Sequence, residues 1–228
     1  MTATEKAQSH PFRNVRYIDR PAAIHAQMVG AIEILKKWRW WRPVIAGGAL
    51  WSWAAGNPAN DIDIFARSTW WSRRRAKKMY GQSTLDLATV APSINDGYGN
   101  MIQAGGLNVF RTTLSNHPTK VDFVLSKRGQ HGYGSVCVGG DSIFDYAHVQ
   151  VAYGLHWYST DGANAYAEGR LKKLHASARK ETYVLGKIQT SLWNNPDAVP
   201  KLIGVMETLS RISGKPLVRQ LPFPRSIQ

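Results

Sequence analysis

Two acidic residues one position apart, Asp61 and Asp63, follow a pair of glycines, Gly47 and Gly48, after an interval of twelve residues. In an extended strand side chains alternate, so both carboxylates point to one face while Ile62 and Ile64 point to the other. Two such charges about 4 Å apart repel by ~4 kcal/mol at an effective dielectric near 20. A hard divalent cation, Mg²⁺ or Mn²⁺, held by the carboxylate oxygens and completed by substrate phosphates, would relieve that repulsion. So would the solvated face of an edge strand. The glycine pair favours the first reading. It opens a short helix at Ala49, where backbone N–H groups and the positive end of the helix dipole attract phosphate, and the missing Cβ lets phosphate approach the backbone. Gly47, Gly48, Ala49 and Ser52 are therefore the candidate nucleotide contacts.

A third carboxylate belongs with the pair. Residues 119–126 alternate cleanly, with Val121, Phe123 and Leu125 on one face and Lys120, Asp122, Val124 and Ser126 on the other. Aspartate is depleted from strands and costly when buried unpaired, so Asp122 makes sense if it reaches the same cation as Asp61 and Asp63.

The elements that must position these groups follow from apolar spacing. Ile24, Met28, Ile32 and Leu35 predict a helix of roughly 20 residues behind an Asp19-Arg20-Pro21 start. Val44 to Phe65 reads as a short buried strand, the glycine turn, a short helix and the acidic strand. Ser68 or Thr69 caps a further helix that runs to Tyr80 and stops at Gly81. Residues 84–126 read as β-rich, with turns at Asn95-Asp96-Gly97 and at Gly105-Gly106. A glycine-rich stretch, 129–140, reads as a linker or loop, and 142–153 as a short helix or strand. Composition predicts one helix over 163–192 and another over 197–212.

The expected class is α+β, with these strands and helices followed by a mainly helical, basic C-terminal part. The expected division is an N-terminal arm (1–18), a catalytic core (19–128), the linker (129–140) and the C-terminal part (141–228).

Charge points to the partner. Among 228 residues, 29 Lys and Arg stand against 15 Asp and Glu, a net charge of +14 and a pI near 10.1, so the surface field attracts polyanions. Five cations within six residues, Arg73, Arg74, Arg75, Lys77 and Lys78, line one predicted helix. They suit a phosphate partner or a solvated face. Lys36, Lys37, Arg39 and Arg42 alternate with Trp38, Trp40 and Trp41, which fits a helix C-terminus, stacking on bases, or both. Lys172 and Lys173 are further phosphate candidates. A single cysteine, Cys137, forms no internal disulfide and suits a reducing cytoplasm; no apolar run is long enough for a membrane span, and the N-terminus lacks the apolar core of a signal peptide. The seven histidines show no metal-ligand spacing.

Gly47-Gly48, the twelve-residue interval containing Gly56 and Pro58, Asp61-Ile62-Asp63-Ile64 and the later Asp122 together resemble the nucleotidyltransferase superfamily typified by DNA polymerase beta and the CCA-adding tRNA nucleotidyltransferases. The resemblance implies a nucleotidyltransferase-like mixed β-sheet with helices packed on it and a two-metal transfer of NMP from an NTP. Asp61 and Asp63 would hold both ions, Asp122 would hold the one that activates the acceptor hydroxyl, and Gly47, Gly48 and Ala49 would cradle the triphosphate. Two departures stand out. Trp51-Ser52 occupies the place of that family's Arg-Asp, and there is no Glu-Asp-x-x-Arg motif, which speaks against CCA addition. The chain looks more like a minimal nucleotidyltransferase of phage, mobile-element or toxin–antitoxin type. Expected partners are an NTP and nucleic acid, RNA before DNA. A protein or small-molecule acceptor, a non-catalytic nucleic-acid-binding protein and a protein-partner interface are the alternatives.

Overall fold

The computed structural model describes residues 20–82, 107–126, 144–154, 161–174 and 181–215. The expected turns at 95–97 and 105–106, the glycine-rich stretch, Cys137 and the N-terminal arm lie outside them.

Five strands form one mixed sheet in the order β3-β4-β2-β1-β5. They are β1 (Val44–Ala46), β2 (Asp61–Arg67), β3 (Leu107–Thr113), β4 (Lys120–Ser126) and β5 (Ala152–Gly154). Strands β2 and β4 run parallel, whereas β1 is antiparallel to both β2 and β5, and β3 is antiparallel to β4. The helices are α1 (Arg20–Lys37), α2 (Gly48–Ala54), α3 (Trp70–Tyr80), α4 (Asp161–Ala167), α5 (Glu181–Leu185) and α6 (Ala198–Ser213), with 3₁₀ turns at Arg39–Trp41 and Ala147–Val149. The structure is α+β, as expected, with helices packed on a mixed five-stranded sheet.

The expected faces are the observed ones. Met28, Ile32 and Leu35 of α1 are buried against Ile62 and Ile64 of β2 and Val121, Phe123 and Leu125 of β4, with Leu202, Met206 and Leu209 of α6 in the same core. Thr69 caps α3 in a reciprocal pair with Ser72: the Ser72 N–H donates to Thr69 Oγ1 at 3.0 Å and Ser72 Oγ lies 2.7 Å from the Thr69 N–H.

One expectation is corrected. Residues 163–192 do not form a continuous helix: α4 ends at Ala167, Gly169 turns the backbone at φ +63°, and Lys173 pairs with Tyr146 in an isolated β-bridge before α5 begins. Helix-favouring Ala and Lys on both sides of Gly169 gave the segment its helical reading, but left-handed backbone at that glycine ends the helix. Residues 142–153 hold both alternatives in part, a 3₁₀ turn and the start of β5.

A buried polar hub sets the approach to β2. Gln27 of α1 is fully buried; its Nε2 donates to the Ala59 carbonyl at 2.8 Å and to Thr119 Oγ1 at 2.6 Å, and its Oε1 accepts from the Ala59 N–H at 2.8 Å and Trp53 Nε1 at 2.9 Å. One amide thus ties α1, α2, the loop before β2 and the start of β4 together, with every contact satisfied.

Candidate active site

The acidic strand and the glycine turn meet because β1 and β2 are paired. Ala46 lies opposite Asp63, so the chain leaves β1 at Gly47 directly beside that carboxylate. A Cβ added to Gly47 would sit 3.9 Å from Asp63 Oδ2 and 3.6 Å from the Phe144 ring. Gly47 has φ +78° and ψ −140°, a region that side chains with a Cβ rarely enter, so the turn itself requires glycine. Gly48 is exposed, and its added Cβ would meet nothing within 4 Å. Protein packing does not explain glycine there, whereas an open approach to the backbone would.

These groups share one cleft. Gly47, Gly48, Asp61 and Asp63 line a cavity of about 180 Å³ together with Trp51, Tyr166, His148 and Lys187. At about 30 Å³ per water this is room for about six waters, so it is ligand-sized rather than a packing gap. Asp145 also lines it, giving three carboxylates and one ammonium around the opening. Ala49 and Ser52 lie outside the lining. Ser52 instead accepts a 3.3 Å hydrogen bond from Gln189 Nε2, and so helps to hold a residue that does line the cleft.

Asp122 is on the expected face but differently engaged. The parallel register sets it opposite Asp63, on strands about 4.8 Å apart. It is buried, and Arg111 of β3, its cross-strand partner, donates to both of its oxygens at 2.8 Å through Nε and Nη2. This bidentate charge-assisted pair supplies the countercharge that a buried carboxylate needs. Arg111 is the residue the sequence reading missed; an arginine in mid-strand was its visible signal, but its register against Asp122 was not. Among the described residues, no group of three or more His, Cys, Asp and Glu side chains is gathered closely enough to hold a metal ion. Two hard carboxylates on one face still match the way Mg²⁺ is usually held, by one or two protein carboxylates with the remaining positions filled by water and substrate phosphates.

Much of the cleft's lining is aromatic. Trp51 stacks on Tyr166 with ring centroids 3.9 Å apart and donates its Nε1 proton to the His148 carbonyl at 3.0 Å. His148 packs edge-on to Tyr166 and Trp193, and burial pushes its pKa down to about 4, so the ring is neutral at pH 7. Its Nδ1 is buried without a hydrogen-bond partner among the described residues. Burial also raises the pKa of Tyr166, whose hydroxyl accepts from the Gln189 N–H at 2.8 Å. Sequence reasoning missed Tyr166, His148 and Lys187, because they reach the cleft from more than 80 residues beyond Asp63.

The predicted phosphate contacts lie elsewhere. Arg73, Arg74, Arg75, Lys77 and Lys78 sit on α3, beyond the C-terminal end of β2, and none of them lines the cleft. Arg75 packs over Trp38 and Trp41 at 5.2 and 5.3 Å and donates to the Lys37 carbonyl at 3.2 Å. Lys172 and Lys173 are exposed on the extended segment after α4, where Lys173 pairs with Glu181 at 3.5 Å. Among the described residues, no helix is long and apolar enough to cross a membrane. In comparisons with known proteins, no family model, no curated protein and no solved structure matches the chain.

Proposed function

We propose that this chain is a divalent-metal-dependent nucleotidyltransferase that moves an NMP from an NTP onto a polyanionic acceptor, RNA in preference to DNA. The observation that carries the reading is the shared cleft: the Asp61 and Asp63 carboxylates open beside the Gly47-Gly48 turn. In the transfer, a bond forms between the acceptor hydroxyl oxygen and the α-phosphorus of the NTP. The bond from that phosphorus to the pyrophosphate oxygen breaks, and the hydroxyl proton passes to water. Asp61 and Asp63 would hold Mg²⁺ or Mn²⁺, which when bound neutralises phosphate charge and stabilises the attacking and leaving oxygens. The turn at Gly47-Gly48 binds the phosphates through its backbone, Lys187 adds a positive charge to the lining, and the aromatic residues of the lining keep water from part of the cleft.

The Arg111–Asp122 pair favours a second reading, a nucleic-acid-binding protein that keeps the carboxylates without turnover, because its arginine already supplies the positive charge that a metal would bring to Asp122. Incubation with each α-labelled NTP, Mg²⁺ and total RNA separates the two. Label transfer to RNA that disappears in the Asp61→Ala, Asp63→Ala double variant is the expected result; label on protein or on a small molecule reassigns the acceptor. No transfer above the double variant with any NTP sinks the transferase reading.

A further inference from the structure

Three tryptophans stand in solvent at the end of β2 opposite the cleft. Trp40 is 75% exposed, Trp70 55% and Trp71 68%, whereas the other large apolar side chains among the described residues are mostly buried. Exposed rings of this size mark interaction surfaces more often than accident. They are held in place. Trp41, next to Trp40, donates its Nε1 proton to Thr69 Oγ1 at 3.2 Å, and Thr69 is the cap residue directly before Trp70. Arg75 of α3 spans Trp38 and Trp41 and bonds the last residue of α1, so the 3₁₀ turn and the start of α3 form one rigid piece.

Cations are interleaved with the rings. The Arg39 guanidinium lies 4.8 Å over Trp40, the Arg74 guanidinium 5.4 Å over Trp70, and Trp70 and Trp71 meet edge to face at 4.5 Å. Residues 34–60 and 64–85 contain no Asp or Glu, and among the described residues none of Arg39, Arg42, Arg74, Lys77 and Lys78 pairs with a carboxylate. We propose that Trp40, Trp70 and Trp71, with Arg39, Arg74, Lys77 and Lys78, form a binding surface for single-stranded nucleic acid, the rings stacking on bases and the cations contacting phosphates.

The pattern selects this occupant over others. A duplex presents its bases already stacked and offers the rings nothing to stack on. A helix that lies on an anionic membrane segregates its cations and apolar residues on opposite faces, whereas here guanidinium groups sit on the tryptophan rings themselves. The surface deepens the proposed transfer by naming what holds the acceptor strand, and it rests on that reading only for the strand's role as acceptor. From Asp61 to Arg67, β2 spans about 20 Å, so the strand is gripped well away from the reacting hydroxyl.

Fluorescence anisotropy with a labelled single-stranded 20-nucleotide RNA tests this, alongside the same sequence as a duplex, polyglutamate as competitor and phosphatidylserine vesicles. Each of Trp40→Ala, Trp70→Ala and Trp71→Ala is expected to weaken single-strand binding about fivefold or more, with the Trp→Phe versions retaining most of it. Arg74→Gln, Lys77→Gln and Lys78→Gln together should lower the slope of log K against log salt by about 2. The proposal is overturned if the triple Trp→Ala variant binds within twofold of the unchanged protein, if duplex or polyglutamate binds as well as the single strand, or if vesicles bind and RNA does not. Should the triple alanine variant fail to fold, the three single variants and the triple Phe variant decide it. Single-strand binding by the unchanged protein with no label transfer above that of the Asp61→Ala, Asp63→Ala variant overturns the transferase reading alone; label transfer that continues undiminished in Trp variants that no longer bind the single strand overturns the surface's role in holding the acceptor.

Discussion

Tryptophan is used in two opposite ways within forty residues of this chain. Trp38, Trp51 and Trp53 are buried, and each has its Nε1 proton accepted, by Tyr80 Oη at 2.9 Å, the His148 carbonyl at 3.0 Å and Gln27 Oε1 at 2.9 Å respectively. Trp40, Trp70 and Trp71 are exposed, and among the described residues their N–H groups have no protein acceptor while two of the rings lie under guanidinium groups. A buried indole must satisfy its one donor or lose the benefit of burial; an exposed one is free of that requirement and can wait for a ligand. The satisfied donor, more than the residue type, therefore separates a structural tryptophan from an interaction tryptophan here.

The sharpest break of that contrast is truncation. Trp38→Ala removes a fully buried ring from between Trp41, Tyr80 and Phe123 and should cost about 3–5 kcal/mol, whereas Trp40→Ala should stay within about 0.5 kcal/mol; urea unfolding of the two variants measures both. Equal losses would dissolve the distinction.

Acid probes the buried set from the side of its histidine. The folded state holds the His148 pKa near 4 against an ordinary value of 6.5, so between these values the unfolded chain binds the extra proton. The associated stability is fully present above pH 6.5 and is lost as pH falls through 4, on the order of 3 kcal/mol over the whole window. Thermal melts at pH 7 and 4.5 should diverge for the unchanged protein and converge for His148→Phe, after allowance for other carboxylates by comparing the two proteins at each pH.

Gln27→Met tests the donor argument itself. It keeps the volume but orphans Trp53 Nε1 and the Ala59 N–H, with an expected loss of about 1–3 kcal/mol in denaturant unfolding. The smallest effect separates the two kinds of cation–ring contact: Arg75→Ala, between half-buried and buried rings, should cost about 1 kcal/mol, and Arg39→Ala at the open Trp40 close to none in the same assay.

What the sequence disclosed follows the range of the interactions. The β1–α2–β2 unit was legible because its apolar runs, glycine turn and alternating Asp-Ile pairs lie within 24 residues, from Val44 to Arg67. Strand parity put Asp122 on the face opposite the apolar residues of its own strand, and the parallel pairing of β4 with β2 sets that face beside Asp63. Parity says nothing of which strand lies on the other side, so the offset that puts Arg111 against Asp122 stayed hidden. Trp38 and Trp40, two residues apart at the end of α1, look alike in sequence; only the switch to a 3₁₀ turn sends one into the core and the other into water. The wall formed by Tyr166 and Lys187 was invisible for a further reason. Gly169 breaks what composition reads as one helix, and the chain folds back across the cleft instead.

The pairing of β1 with β5 joins Ile45 to Tyr153, and the same return of the chain brings His148, Tyr166 and Lys187 over the glycine turn. Contacts this distant in sequence close late in folding, because the intervening loop loses its freedom before the contacts form. As the ribosome releases the chain, the acidic strand and the glycine turn emerge long before their opposite wall exists. A nascent chain that stopped short of residue 144 would display the carboxylates without enclosing them, so the completed cleft is itself a sign that synthesis has passed Gln189, the last residue in its lining.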